Sequence, residues 1–360
     1  MRPILFLIPL DGSLYLGPLG KAPVFDFGLL FAAWLVIGIV WLWRSFRGGF
    51  GLPPLADFVT FGILGAAIVL AQRLAAQFGG PPSIPVYGYG FMMCAGFILA
   101  TLLASRRAAR EGFPPETIWD LTLWFVVSGV GGGRLFYLIQ HGDRVFAECK
   151  SAADYLKAAI NLPDGGLVLF GGLIGGAIAF WWFCRTRKLP AWKLGDILVP
   201  SIFLGIACGR VGCFLYGCCF GDRCELPWAV TFPFHSVPFQ AQHSRGFLPP
   251  DAATSLPIHP TQLYSVLDAL LLCWLTWAYY PVRARDGSVV TLALLTYPIT
   301  RFLIERLRGD EMGLFGTSLT IAQWISLLML AGGIGLATMR PPKVSALCRV
   351  PGQPQRVSAG

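Results

Sequence analysis

Long apolar stretches alternate with short polar segments along most of this chain, and this pattern predicts membrane-spanning helices. A helix needs roughly 20 apolar residues to cross the hydrocarbon core of a bilayer. Nine such spans can be placed, at residues 26–43, 56–72, 86–104, 118–140, 165–184, 196–217, 261–280, 288–305 and 319–338. The apolar run at residues 4–8 is too short to span, and no cleavage-site pattern typical of a signal peptide follows it. We therefore expect an all-α, polytopic integral membrane protein.

Composition supports the same class of protein. Hydrophobic residues make up 55% of the 360 positions, whereas charged residues make up only 13%. A soluble domain cannot bury that much apolar surface, so a soluble globular protein is excluded.

The distribution of Lys and Arg predicts the orientation in the membrane. The loops after odd-numbered spans carry 15 basic residues, mostly close to span ends, whereas the N-terminal tail and the loops after even-numbered spans carry 10 over longer segments. Cytoplasmic loops hold the excess of positive charge, so we expect the N-terminus outside and the C-terminus in the cytoplasm. The net charge of +9 largely reflects this bias and requires no nucleic-acid partner.

Three of the 28 basic residues lie inside predicted spans: Arg134, Arg210 and Arg301. Each occupies the latter half of an even-numbered span, which places all three in the outer half of the membrane. Charged residues at that depth are costly and usually mark functional sites. Glu305 follows Arg301 by one helical turn on the same face. We expect one cationic pocket open toward the outer leaflet; the alternative is that each arginine extends separately to the interface.

Four cysteines fall within 12 residues, at Cys213, Cys218, Cys219 and Cys224. Their spacing differs from the CxxC pairs of structural zinc sites, which disfavours a metal. An outward location would permit a disulfide that joins Cys218 or Cys219 to Cys224. Cys213 alone is also compatible with simple helix packing.

Other polar and small residues suggest further functions. His259 and Gln262 open the seventh span, where they can donate to a phosphate or carbonyl oxygen. Glu305 either holds Arg301 in place or accepts a proton. Glycines around Phe170 in the fifth span indicate close helix packing or room for lipid chains.

The chain also shows signs of a modular organisation. Residues 23–28 and 85–90 share the pattern Pro-Val-aromatic-x-aromatic-Gly, and each opens a span. A short duplication would make residues 1–80 an added two-span unit ahead of a seven-span core at 81–340. Residues 341–360 are typical of a disordered cytoplasmic tail. The long loop at 218–260, rich in Pro and aromatic residues, is typical of an interfacial cover over a site.

An ordered series of motifs resembles one family across about 260 residues, from Pro85 to near Arg340. In chain order the motifs are Tyr89-Gly90, Gly132-Gly133-Arg134-Leu135, Gly165-Gly166 with Gly171-Gly172-Leu173-Ile174-Gly175, Gly209-Arg210-Val211-Gly212, His259-Pro260-Thr261-Gln262-Leu263-Tyr264, Arg301-Phe302 with Glu305, and Thr320-Ile321-Ala322-Gln323-Trp324. The series is similar to that of the prolipoprotein diacylglyceryl transferases of the bacterial inner membrane. Each motif alone is weak, but the ordered set is specific.

The resemblance implies a seven-helix core in a multi-pass inner-membrane enzyme. Such an enzyme transfers a diacylglyceryl group from phosphatidylglycerol to the lipobox cysteine of a prolipoprotein signal peptide and releases glycerol phosphate. No metal and no diffusible cofactor are required. Expected catalytic residues are Arg210, Arg301, Glu305 and His259. Expected phosphatidylglycerol-binding residues are Tyr89, Arg134, Arg210, Gln262 and Tyr264.

The chain departs from the family's pattern near these positions. Cys213 and Tyr216 stand where the family has Asn, and Cys218 stands where it has Glu. Phe170 and Ser265 replace a usual His and Glu. Two alternatives therefore stay open: a paralogue with a different acceptor, and a phospholipid-binding protein without catalysis. A transporter is disfavoured, because the charged residues gather on one side of the membrane instead of at its midplane.

Overall fold

The computed structural model describes residues 4–9, 13–15, 21–23, 83–147, 151–161, 166–249, 251–309 and 316–339. The chain divides into two compact units, Met1–Phe91 and Met92–Gly360. The predicted spans at 26–43 and 56–72 lie outside the described residues, as does the predicted tail at 341–360. The count of nine spans and the orientation of the termini therefore stay predictions.

The described part of the first unit consists of short antiparallel strand pairs and the start of a helix. Strand β1 (Ile4–Pro9) pairs with β4 (Ser83–Tyr87), and β2 (Ser13–Tyr15) pairs with β3 (Lys21–Pro23). The apolar run at residues 4–8, too short to span a membrane, belongs to β1.

Seven helices in the described part of the chain are long and apolar enough to cross a membrane. They are α1 (Gly88–Arg110), α2 (Pro115–Val145), α4 (Leu169–Thr186), α5 (Ala191–Tyr216), α7 (Thr261–Tyr279), α8 (Ser288–Glu305) and α9 (Ile321–Met339). Two shorter helices, α3 (Ala152–Ile160) and α6 (Val237–Ser244), lie in the connecting loops, and a 3₁₀ turn (Tyr280–Val282) follows α7. These seven helices confirm the last seven predicted spans.

The helix ends follow local sequence signals. Pro115 occupies the first turn of α2, where its missing N–H has no intrahelical partner to lose. Ser151 and Asp154 form a reciprocal capping box at the start of α3. Gly217 ends α5 in the left-handed conformation, with φ of 90°, and its amide donates to the carbonyl oxygen of Cys213.

Helices α2 and α4 approach each other closely through glycines. A Cβ on Gly132 would overlap the carbonyl oxygen of Gly171, and a Cβ on Gly175 would overlap that of Ser128. Small residues at helix contacts allow backbones to meet without side chains between them. The packing interpretation of the glycines in the fifth predicted span is therefore confirmed for Gly171 and Gly175.

The main buried cluster draws side chains from six helices, α1, α2, α4, α5, α7 and α8. Leu121, Leu194, Ile197 and Val289 are almost completely buried in it. Outside this core, large apolar side chains on the helices face outward; Leu169, Leu328 and Met339 are 73%, 71% and 83% exposed. Outward apolar faces on long helices are expected where the surrounding solvent is lipid.

A buried carboxylate joins α5 to the start of α8. Asp196, fully buried, accepts hydrogen bonds from the backbone amides of Gly287, Val289 and Val290 at 2.8, 3.0 and 3.0 Å. These amides belong to the N-cap residue and the first turn of α8, where backbone donors lack intrahelical partners and the helix dipole favours negative charge. Asp196 thus fixes α8 against α5.

Candidate active site

The direction of the helices places the candidate residues at one end of the bundle. Consecutive spans alternate in direction, so the C-terminal ends of α2, α5 and α8 share a side with the N-terminal ends of α7 and α9. The C-terminal halves of α2, α5 and α8 carry Arg134, Arg210 and Arg301, respectively. His259 lies just before the start of α7.

Side chains at the start of α7 form hydrogen bonds with the backbone of the turn that follows α5. The side-chain amide of Gln262 donates to the carbonyl oxygen of Cys218 at 2.8 Å, and the hydroxyl of Thr261 donates to that of Cys219 at 2.9 Å. Cys219 itself has φ of 58°, a left-handed conformation that is strained for a residue other than glycine. Hydrogen bonds from α7 therefore stabilise the left-handed backbone conformation of Cys219, which is unfavourable by itself.

This turn brings three thiols together. The Sγ atoms of Cys213, Cys218 and Cys219 lie within 4.8 Å of one another, and each residue is half-buried. All three, like Cys224, are free thiols, so the predicted disulfide to Cys224 is not formed in the structure.

The thiols beyond the end of α5 differ in acidity. Interactions with the thiols of Cys213 and Cys218, helped by the charges of Arg308 and Arg210, lower the pKa of Cys219. The neighbouring thiols raise the pKa of Cys218. Cys219 is therefore the more acidic of these two thiols.

Arg210 lies two turns before the end of α5 and is half-buried. In the described part of the chain its guanidinium has no hydrogen bond or ion pair, although its charge acts on the thiols of Cys213 and Cys219. A partly desolvated guanidinium with free donors is suited to bind an anionic group such as a phosphate.

Glu305 ends α8 as the centre of an ion-pair network. It is only 2% exposed and pairs with Arg301 one turn earlier, as their spacing predicts. Both of its carboxylate oxygens also lie 3.3 Å from Nη1 of Arg308, and the hydroxyl of Thr320 donates to Oε1 at 3.2 Å. The carboxylate is thus held from three sides, which supports the ion-pair interpretation of this glutamate.

Two participants in this network were missed from the sequence. Arg308 was counted as a loop charge, although it stands three residues after Glu305, within reach on a helical turn. Asp268, a lone carboxylate in the seventh predicted span, accepts a hydrogen bond from Thr300 at 3.0 Å and interacts electrostatically with Arg301. An acidic residue inside an apolar span was the available signal.

Tyr264 links His259 to the long loop. Its hydroxyl accepts a hydrogen bond from the indole nitrogen of Trp228 at 2.7 Å and lies 3.4 Å from Nδ1 of His259. Tyr264 thereby orients the imidazole and anchors the loop that carries Trp228.

The loop at 218–260 folds around its own small core. Phe220, Phe232 and Ile258 are buried together. The amide of Asp222 donates to the carbonyl oxygen of Leu307, which attaches the loop to the segment after α8. The loop is thus a folded element attached to the segment after α8, and a covering function stays a prediction.

Arg134 and Tyr89 have different surroundings. Arg134 is buried, and its guanidinium donates to the carbonyl oxygens of Ala159, Gly166 and Ala158 at 2.9, 3.3 and 2.6 Å. It therefore caps the end of α3. Tyr89 lies in the first turn of α1, within the Met1–Phe91 unit, and its side chain is exposed. Lipid binding by both residues stays a prediction.

The fold defines a multi-pass membrane protein with seven long apolar helices in its described part. The family model described as prolipoprotein diacylglyceryl transferase matches residues 73–339. The chain therefore belongs to the prolipoprotein diacylglyceryl transferase family, and the resemblance seen in the motifs is confirmed.

Relatives agree with this assignment. The phosphatidylglycerol–prolipoprotein diacylglyceryl transferase of Clostridium tetani is 32% identical over 252 residues, which cover 70% of this chain and 92% of that protein. The protein of the same name from Synechococcus elongatus is 33% identical and covers 74% of this chain and 90% of its own length. The protein of the same name from Rhodopirellula baltica is 26% identical over a match that covers 93% of this chain and 88% of that protein.

Proposed function

We propose that this protein transfers a diacylglyceryl group from phosphatidylglycerol to the thiol of a prolipoprotein cysteine. The observation that carries the proposal is the half-buried guanidinium of Arg210, which has no hydrogen-bond or ion-pair partner in the described part of this chain. The chain belongs to a family of diacylglyceryl transferases. The guanidinium gives the phosphate of an anionic lipid a charged partner inside a largely apolar helix bundle.

In the proposed reaction, the sulfur of the acceptor cysteine attacks the carbon of the diacylglyceryl group that is bonded to the phosphate oxygen. A carbon–sulfur bond forms, the carbon–oxygen bond to the phosphate breaks, and glycerol phosphate leaves with the electron pair. Negative charge grows on the departing phosphate oxygen. Arg210, together with Arg301, stabilises that charge through charge-assisted hydrogen bonds.

We assign Glu305 a positioning function in this scheme. It contacts Arg301, Arg308 and Thr320, and it is almost completely buried. A carboxylate committed to two guanidinium groups keeps them oriented and balances their charge. His259, held near Tyr264, is left as the group that takes the proton of the acceptor thiol.

Gln262 offers a second contact for the lipid headgroup. Its amide nitrogen donates to Cys218, but its amide oxygen is buried without a hydrogen-bond partner in the described structure. A buried acceptor without a donor is costly, and a headgroup hydroxyl would satisfy it. Tyr264 and Arg134 complete the proposed phosphatidylglycerol-binding set, and Tyr89 stays an expectation from the family resemblance.

The proposal also includes the acceptor peptide, the membrane in which the enzyme resides and the orientation of the chain. The acceptor cysteine lies in the lipobox of a prolipoprotein signal peptide, and the enzyme resides in the bacterial inner membrane. The bias of Lys and Arg supports an external N-terminus, a cytoplasmic C-terminus and a site that faces the outer leaflet.

The proposal is tested by transfer of labelled diacylglyceryl from phosphatidylglycerol to a lipobox peptide by the purified protein. We expect Arg210→Ala to lower kcat/KM at least about 100-fold, the scale seen when one donor to a developing anion is removed. Arg185→Ala is the matched control, because Arg185 is exposed at the other end of the bundle, in the last turn of α4. An unchanged rate in Arg210→Ala would refute the site assignment.

The same assay separates the alternatives. Wild-type protein that binds phosphatidylglycerol but modifies no lipobox peptide would indicate lipid binding without transfer. Product on a different thiol-containing peptide would indicate another acceptor.

A further inference from the structure

The thiols of Cys213, Cys218 and Cys219 form a cluster that the proposed transfer reaction does not use. Their sulfur atoms lie within 4.8 Å of one another, although Cys213 belongs to the last turn of α5 and the other two follow the helix. All three are half-buried, so they are not packed away in a core.

The separation of the sulfur atoms suits a metal ion. Zn²⁺ binds thiolate sulfur at about 2.3 Å, which places tetrahedral ligands about 3.8 Å apart. Sulfur atoms within 4.8 Å of one another reach this spacing through small side-chain rotations. Soft thiolate ligands select thiophilic ions such as Zn²⁺, Cd²⁺ and Cu⁺ over Mg²⁺ or Ca²⁺.

The backbone that carries the thiols is preorganised. Gly217, in the left-handed conformation, turns the chain back at the end of α5, and Cys219 follows with φ of 58°. Hydrogen bonds from Gln262 and Thr261 to the carbonyl oxygens of Cys218 and Cys219 fix this turn to α7. Local strain that is stabilised from outside is typical of functional sites.

The charges around the cluster compensate a metal–thiolate complex. Three thiolates and one divalent ion together carry one negative charge. Arg210 and Arg308 both interact electrostatically with Cys219, so two positive charges can offset this negative charge. Compensation of this kind reduces the cost of a charged complex in a partly buried site.

We propose that Cys213, Cys218 and Cys219 bind one thiophilic d¹⁰ metal ion, such as Zn²⁺, through three thiolates and leave its fourth position open. Within the described part of the chain, no fourth His, Cys, Asp or Glu side chain joins this cluster. The fourth position is therefore accessible to water or to a bound thiol.

The experiment is a Cd²⁺ titration of the full-length, fully reduced protein in detergent. Binding is followed by the ultraviolet thiolate-to-metal charge-transfer band, and the metal content is measured after gel filtration. We expect about one Cd²⁺ per chain and at least a ten-fold loss of affinity in Cys219→Ser.

Cys224→Ser is the matched control, since Cys224 follows the cluster in sequence but does not belong to it. It should retain Cd²⁺ like the wild type. Cys213→Ser removes a ligand from the helix and should weaken binding as Cys219→Ser does, while gel filtration shows that each variant is folded. Wild-type protein that retains no Cd²⁺, or a Cys224→Ser variant that loses as much affinity as Cys219→Ser, would overturn the proposal.

Discussion

The side-chain amide of Gln262 donates a hydrogen bond to the carbonyl oxygen of Cys218 across 2.8 Å. This contact joins the start of α7 to the turn after α5, which carries Cys218 and Cys219. Gln262 itself is only 1% exposed, whereas Cys218 is half-buried. The geometry of the candidate site thus depends on an amide that belongs to another helix.

Replacement of Gln262 by Leu should destabilise the protein. The carbonyl oxygen of Cys218 would lose its donor at a partly buried position, which costs about 1–3 kcal/mol. Gln240→Leu is the control, because Gln240 makes the same type of bond, to the carbonyl oxygen of His235, on the exposed surface. Thermal unfolding in detergent should show a lower Tm for Gln262→Leu alone; equal shifts would contradict the role assigned to this contact.

Replacement of Glu305 by Gln should lower both stability and transfer rate. The change leaves the guanidinium groups of Arg301 and Arg308 without their carboxylate, and loss of one partner from a buried ion pair costs about 3–5 kcal/mol. Glu225→Gln, in the exposed part of the long loop, is the control.

The pH dependence of the remaining activity distinguishes the two functions considered for Glu305. If Glu305 positions the arginines, the pH profile of kcat/KM should keep its shape in Glu305→Gln while its height falls. Disappearance of one limb of the profile would instead identify Glu305 as the proton acceptor.

Replacement of Asp196 by Ala should be far more harmful than the same change at Asp286. Both carboxylates lie near Arg283, at 3.5 and 3.4 Å, but Asp196 is fully buried and Asp286 is exposed. We expect a loss of about 3–5 kcal/mol for Asp196→Ala, against at most about 1 kcal/mol for Asp286→Ala. Chemical unfolding monitored by circular dichroism measures the difference, and similar losses would argue against the capping function.

Replacement of Gly132 by Ala should separate α2 from α4. The added methyl group would overlap the carbonyl oxygen of Gly171, and overpacking of this kind costs about 1–3 kcal/mol. Gly131→Ala, one position earlier, meets no atom within 4 Å. It should be neutral or slightly stabilising, because Ala favours the helix. Heat-induced aggregation of the two variants in detergent provides the measurement; a stable Gly132→Ala would show that the helices can move apart at little cost.

The helices of the bundle were predictable because lipid imposes a simple rule: a span must be long, apolar and internally hydrogen-bonded. The last seven predicted spans match helices, and Arg301 pairs with Glu305 as the spacing of four residues requires. Contacts of this kind depend only on neighbours along one helix.

Contacts between distant segments were not predictable in the same way. The cysteine spacing does not show that Cys218 and Cys219 fold back toward Cys213 at the end of α5. This turn is supported by hydrogen bonds from residues more than 40 positions later. Likewise, nothing in the sequence near Arg134 shows that its guanidinium caps the end of α3.

The cap formed by Asp196 has a consequence for the assembly of the protein. Its carboxylate takes its three amide donors from residues 91 to 94 positions later, so it lacks them until the start of α8 has been synthesised. Chains that stop before Gly287 therefore retain a carboxylate in an apolar interior without its native donors. Such truncated products should be recognised as misfolded by membrane proteases, and the bundle becomes stable only once α8 has been added.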